Sequence, residues 1–149
     1  DSVPEAFKSM WEFGGVQRSY SDRFKGHSIF VSADNPDYQG SLAFAKLLGA
    51  RLKARGLEYT PHYKEAFMGS RRRQLVDAET GVYRYDQLLI LRTARMPSVL
   101  FEAGSIVHRD EEMLVGTEEH QLQLAGAVTE AVEHFCASRP AKTRRASTR

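Results

Sequence analysis

Apolar positions along this chain change their spacing several times, and each change marks an element. The run His27-Ser28-Ile29-Phe30-Val31-Ser32 is short and β-favouring, bounded by Gly26 and by Ala33-Asp34-Asn35, which predicts a strand. Asn35-Pro36 then predicts a helix start, with Asn35 capping the free amides and Pro36 pre-set for the first helical position. Leu42, Ala45, Leu48 and Leu52 recur at three- and four-residue spacing until Gly56, so this helix is amphipathic and lies on a sheet. Leu88-Leu89-Ile90-Leu91 and Val99-Leu100-Phe101 are two further apolar runs, separated only by 93–97, and predict two strands in the middle of that sheet. Downstream, 109–114 fits a short helix that Gly116 breaks. Thr117-Glu118-Glu119 then offers a cap and first-turn acids for a longer helix with the stripe Leu124, Val128, Val132 and Phe135.

The remaining segments carry weaker patterns. Residues 1–26 show no clean period and read as irregular chain with a short helical turn after Pro4. Residues 57–86 are loose, with a turn at 77–81 before Val82-Tyr83-Arg84-Tyr85. Together the elements predict an α/β domain with a mixed or mostly parallel sheet flanked by helices, and no internal repeat.

Composition changes this picture in three places. With 149 residues, 42% of them hydrophobic and 27% charged, the chain is long enough for one domain with a core. A single cysteine, Cys136, excludes an intramolecular disulfide and a cysteine-built zinc knuckle, and its position near the end of the last helix predicts a packing role. The net charge of +2 is unevenly spread: 138–149 holds five basic residues and no acidic ones, leaving −3 on the body. That composition predicts a domain over 1–137 and a basic disordered tail over 138–149, either a solvated terminus or an attachment to an anionic surface. No run of eighteen apolar residues occurs, the first residues are too polar for a signal peptide, and the opening Asp1 reads as a processed or partial chain.

Chemistry concentrates in Met96-Pro97-Ser98-Val99-Leu100-Phe101-Glu102-Ala103-Gly104. Glu102 falls at the carboxyl end of a predicted strand, which in open α/β sheets borders the functional crevice. Two readings stand at this point: a carboxylate that meets a ligand, or one paired with a nearby arginine. The five histidines, His27, His62, His108, His120 and His134, lack paired metal-ligand spacing; His27 reads as a strand-edge residue, and His120 and His134 as exposed positions on the last helix. Arg71-Arg72-Arg73 reads as a solvated face or as a contact for substrate carboxylates. Nucleophile-elbow, phosphate-loop and dinucleotide motifs are absent from the sequence.

The block from Pro97 to Gly104, followed by Ser105-Ile106-Val107 and by Glu111-Glu112 with Leu114, resembles the C-terminal part of the zinc-dependent N-acetylmuramoyl-L-alanine amidases, the Amidase_3 family. Leu88 to Leu91 with Arg92 resembles the segment that precedes the glutamate strand in that family, and the likeness extends over 27–136. The chain departs from the pattern at Ser105, where phenylalanine is usual, and at His108 and Arg109, where Asn-Pro is common. The resemblance implies an incomplete amidase domain whose catalytic residue is Glu102, acting on peptidoglycan at the amide between N-acetylmuramic acid and L-alanine. It also implies zinc as cofactor and a cell-envelope location; no nucleic-acid partner is expected, that option resting on the basic tail alone. Family zinc ligands are His, Glu and His in motifs this chain does not contain, so they are expected upstream of Asp1 and the isolated chain is expected to be inactive. The alternative is a non-catalytic α/β module that binds cell-wall glycan or another anionic partner.

Overall fold

The computed structural model describes residues 3–139. A four-stranded sheet carries the fold, in the order β4 (Gln74–Asp77), β5 (Val82–Arg84), β3 (Ser28–Val31) and β6 (Leu100–Glu102). Strand β3 pairs in parallel with β5 and antiparallel with β6, and β4 pairs antiparallel with β5, so the sheet is mixed. All four residues of β3 are buried, as its continuous apolar character requires of a strand covered on both faces.

The alternation of the strand splits the core in two. Ile29 and Val31 face α1 (Tyr38–Ala54) and α4 (Glu118–Ser138), packing with Ala45, Leu48, Leu52, Ala127 and Ala131. Phe30 points the other way, into Tyr63, Met68, Tyr83 and Leu91. The α1 stripe is as expected, whereas the buried line of α4 runs through Ala127 and Ala131 with Leu124 and Val128 beside it, leaving Val132 43% exposed. Small side chains at that line let the two helices approach closely, and the larger ones flank the contact. Cys136 is free and exposed rather than packed.

Two local expectations are corrected. Asp37, not Asn35, caps α1, accepting from the Gly40 amide at 3.0 Å. Asn35 is buried and spans the strand ends: its Nδ2 donates to the Leu91 carbonyl at 2.6 Å and its Oδ1 accepts from the Asp37 amide at 2.7 Å. Leu88 to Leu91 is not a strand; Leu89–Thr93 forms one helical turn, α2, that buries Leu91 and leaves Leu89 and Ile90 at 60% and 67% exposure. The reason is topological. β5 ends, and β6 begins, at the same end of the sheet, on either side of β3, so the connection needs only a short detour and no further strand.

Residues near the N-terminus are also more regular than expected. After a 3₁₀ turn at Glu5–Phe7, strands β1 (Ser9–Phe13) and β2 (Val16–Tyr20) form an antiparallel hairpin. Gly14 and Gly15, at φ 61° and 76°, supply the left-handed pair that a two-residue turn requires. Arg18 ties the hairpin to Glu112 of α3 (Arg109–Leu114) at 2.7 Å, and Arg109 pairs with Asp22. Of the basic segment, Ser138 is the last residue of α4 and Arg139 pairs with Asp37 at 3.0 Å, while 140–149 lie outside the described residues.

Candidate functional site

Glu102 does end its strand, but β6 runs against β3 and β5. Its partner in the ladder is Ser28, the first residue of β3, so the carboxylate stands at the amino end of the central strands rather than at their carboxyl ends. The rule for parallel sheets therefore does not transfer, because it presumes that the strand bearing the residue points the same way as its neighbours.

The other elements of the site reach this end by two routes. After α1, Gly56 turns the chain at φ 75°, and a short parallel bridge between His27 and Tyr59 brings 59–63 alongside the start of β3. Pro61 precedes a 3₁₀ turn at His62–Lys64 that points Tyr63 inward. The Tyr63 ring stacks on His62 at 4.3 Å between centroids and meets Phe30 and Tyr83 edge-on at 5.1 and 5.8 Å. Its hydroxyl donates to Glu102 Oε2 at 2.9 Å. Among the described residues Glu102 is thus held by a tyrosine and not by an arginine.

From the other side, Glu111 of α3 accepts from the amides of Gly26 and Ser105, both at 2.7 Å. One carboxylate so clips the loop after β6 to the segment before β3, which positions both ends of the glutamate strand's neighbourhood. In the sequence Glu111 showed only as a helix-opening acid.

Beside the site lies a cavity of about 730 Å³, bordered by His27, His62, Glu65, Ala103, Glu111 and His120. His120 is buried, at 7% exposure, contrary to the sequence expectation; His134 is exposed and sits 3.2 Å from Arg51. Burial pushes the His27 imidazole down to about 4, and neither ring nitrogen has a hydrogen-bond partner among the described residues. Burial likewise pushes His62 down to about 4; its Nδ1 meets Thr60 Oγ1 at 2.5 Å and its Nε2 has no partner among the described residues. Both rings are therefore neutral at pH 7. His108 is buried too, with no partner for Nδ1 among the described residues.

These histidines do not make a metal site. Among the described residues no three His, Cys, Asp or Glu side chains come together to hold a metal ion, so the residues present do not fit the zinc that the resemblance implies. The arrangement can hold a carboxylate in one orientation, with Oε2 engaged and Oε1 without a hydrogen-bond partner among the described residues. A carboxylate so placed is able to take a proton from a neighbouring group.

The Amidase_3 family model, described as N-acetylmuramoyl-L-alanine amidase, matches residues 17–134. Among solved structures, the chain is similar to the N-acetylmuramyl-L-alanine amidase Ami1 from Mycobacterium smegmatis, with a TM-score of 0.63 and 20% identity over 79% of this chain and 50% of that one. The apo form of Ami1 from Mycobacterium abscessus gives a TM-score of 0.61 at 20% identity, covering 77% of this chain and 49% of that one. The CwlD amidase from Clostridioides difficile, solved in complex with the GerS lipoprotein, gives 0.57 at 21% identity, covering 80% and 50%. At these identities the likeness speaks for the fold, and the chain spans about half the length of the structures it matches. A comparison with curated proteins gives no match. The family match covers most of the chain, takes in both the glutamate strand and the helices around it, and agrees with the mixed sheet seen here: this chain belongs to the Amidase_3 family of N-acetylmuramoyl-L-alanine amidases.

Proposed function

We propose that this chain is the glutamate-bearing C-terminal part of a peptidoglycan amidase of the cell envelope, one that cleaves the amide between N-acetylmuramic acid and the L-alanine of the stem peptide. The observation that carries the reading is Glu102 itself, at the end of β6 inside the matched region, with one carboxylate oxygen held by Tyr63 and the other without a hydrogen-bond partner among the described residues. Amides resist water at neutral pH, so hydrolysis needs a base to take the proton of the attacking water and an acid to protonate the leaving amine. A single carboxylate serves both steps in turn. On this reading Glu102 is that group. The zinc of the family then has its ligands in the rest of the domain, outside residues 1–149.

The two edges of the sheet support this division. The β4 edge is guarded: its pairing with β5 shifts register between Leu75 and Asp77, and Lys46 pairs with Asp77 at 2.6 Å. Among the described residues the β6 edge has neither device, and Val99, Leu100 and Phe101 remain only half-buried there. A strand added along β6 covers these residues and brings its own side chains beside Glu102.

The test has two parts. The chain alone is expected to carry no stoichiometric zinc and to leave purified peptidoglycan uncleared; zinc together with clearing refutes the division. Joined to the rest of its domain, the chain is expected to clear peptidoglycan, and Glu102→Gln lowers that rate by roughly 10²- to 10⁴-fold with the fold intact. An unaffected rate removes Glu102 from the mechanism.

A further inference from the structure

We infer that Tyr63 is a positioning residue for Glu102: its hydroxyl sets the orientation of the carboxylate and leaves Oε1 as the oxygen that receives the proton. The inference rests on the amidase reading for its purpose, and on geometry alone for its content.

Glu102 needs such a device. It is a half-buried side chain on the last strand of a sheet, with rotatable bonds that an edge position does not restrict by packing. Tyr63 is the opposite case. It is 5% exposed, its ring is stacked on His62 and wedged against Phe30 and Tyr83, and its backbone carbonyl accepts from the Arg73 amide at 2.7 Å. The hydroxyl is therefore fixed in space before Glu102 arrives. A hydrogen bond from a fixed donor to a mobile carboxylate selects among the carboxylate's rotamers, and a bond to an ionised acceptor is about twice as strong as one between neutral groups. At 2.9 Å to Oε2 the geometry is that of a full hydrogen bond.

Tyr83 supplies an internal control. It is a second buried tyrosine in the same cluster, but its hydroxyl donates to the Thr60 carbonyl at 2.8 Å and not to Glu102. Removing either hydroxyl costs a buried tyrosine its hydrogen bond; only one removal should release the carboxylate.

The experiment is performed on the full chain by NMR, reading the three-bond couplings across χ1 and χ2 of Glu102 in the wild type, Tyr63→Phe and Tyr83→Phe. The wild type and Tyr83→Phe are expected to show one dominant rotamer. Tyr63→Phe should show averaged couplings, the ratio of held to released orientations falling about tenfold. Unchanged couplings in Tyr63→Phe, or equal averaging in both variants, overturns the inference. If Glu102→Gln proves neutral in peptidoglycan clearing, the amidase role of Glu102 falls while this measurement still stands, so the two failures are told apart.

Discussion

Acid should unfold this domain earlier than its carboxylates alone would require, and His27 and His62 are the reason. In the unfolded chain each imidazole has its ordinary value of 6.5; in the fold burial holds each at about 4. The folded state thus binds fewer protons than the unfolded state between those values, so stability is fully present above pH 6.5 and is lost as pH falls towards 4. At about 1.4 kcal/mol per pH unit, the gap makes each histidine cost on the order of 2 kcal/mol at pH 5 and about 3 kcal/mol at pH 4. Two such terms are a large fraction of the roughly 5–15 kcal/mol that holds a domain together. The carboxylates act in a lower window. Asp22 is held below its usual value of 3.8 first by its hydrogen bond to Arg109, and Glu130 below 4.5 first by its bond to Arg55, so what they contribute is present above those values and is lost as pH falls below them. Urea unfolding at pH 7, 6, 5 and 4.5 is the assay, with His27→Gln as the variant. The midpoint should fall steadily across that series, and His27→Gln should flatten the slope by about half, whatever it does to stability at pH 7. A midpoint independent of pH, or an equal slope in the variant, refutes the reasoning.

Two further outcomes follow from packing. Asn35→Ala removes the donor that serves the Leu91 carbonyl and the acceptor for the Asp37 amide, and should cost about 1–3 kcal/mol by chemical denaturation, against a negligible change if the bridge is incidental. Gly49→Ala places a methyl group 2.3 Å from the Thr80 carbonyl oxygen and 2.7 Å from Thr80 Cβ, so it should destabilise by at least about 1–3 kcal/mol. Gly116→Ala, whose new methyl meets only the Met113 carbonyl at 3.5 Å, should stay within about 0.5 kcal/mol; similar costs for the two glycines would contradict the close approach of α1 to Thr80.

Much of the architecture was legible from local pattern. The β3 run, the stripe of α1 and the capped start of α4 follow from residue spacing, because burial against one sheet face imposes a period on the sequence. The hairpin of β1 and β2 also had its signal, Gly14-Gly15 between two short β-favouring runs, and reading 1–26 as irregular passed over it. Leu88 to Leu91 was ambiguous in principle, since a short apolar run fits a buried strand and a helical turn equally, and only the direction of β6 resolved it.

The site divides along the same line. That Glu102 is the residue to watch came from its own neighbours in sequence, Pro97 to Gly104, because a strand followed by a carboxylate and a glycine is a local arrangement. What holds Glu102 is not local. Tyr63 lies thirty-nine positions away in a segment without periodicity, and Asn35 meets Leu91 across fifty-six. Glu111 closes the loop around the site through an amide eighty-five positions distant. Such partners are chosen by where the chain folds back, and one sequence contains no record of that beyond the residues themselves. The pattern of apolar spacing therefore determined which elements form and where the carboxylate falls, while the antiparallel course of β6 decided which end of the sheet it occupies and which side chains hold it there.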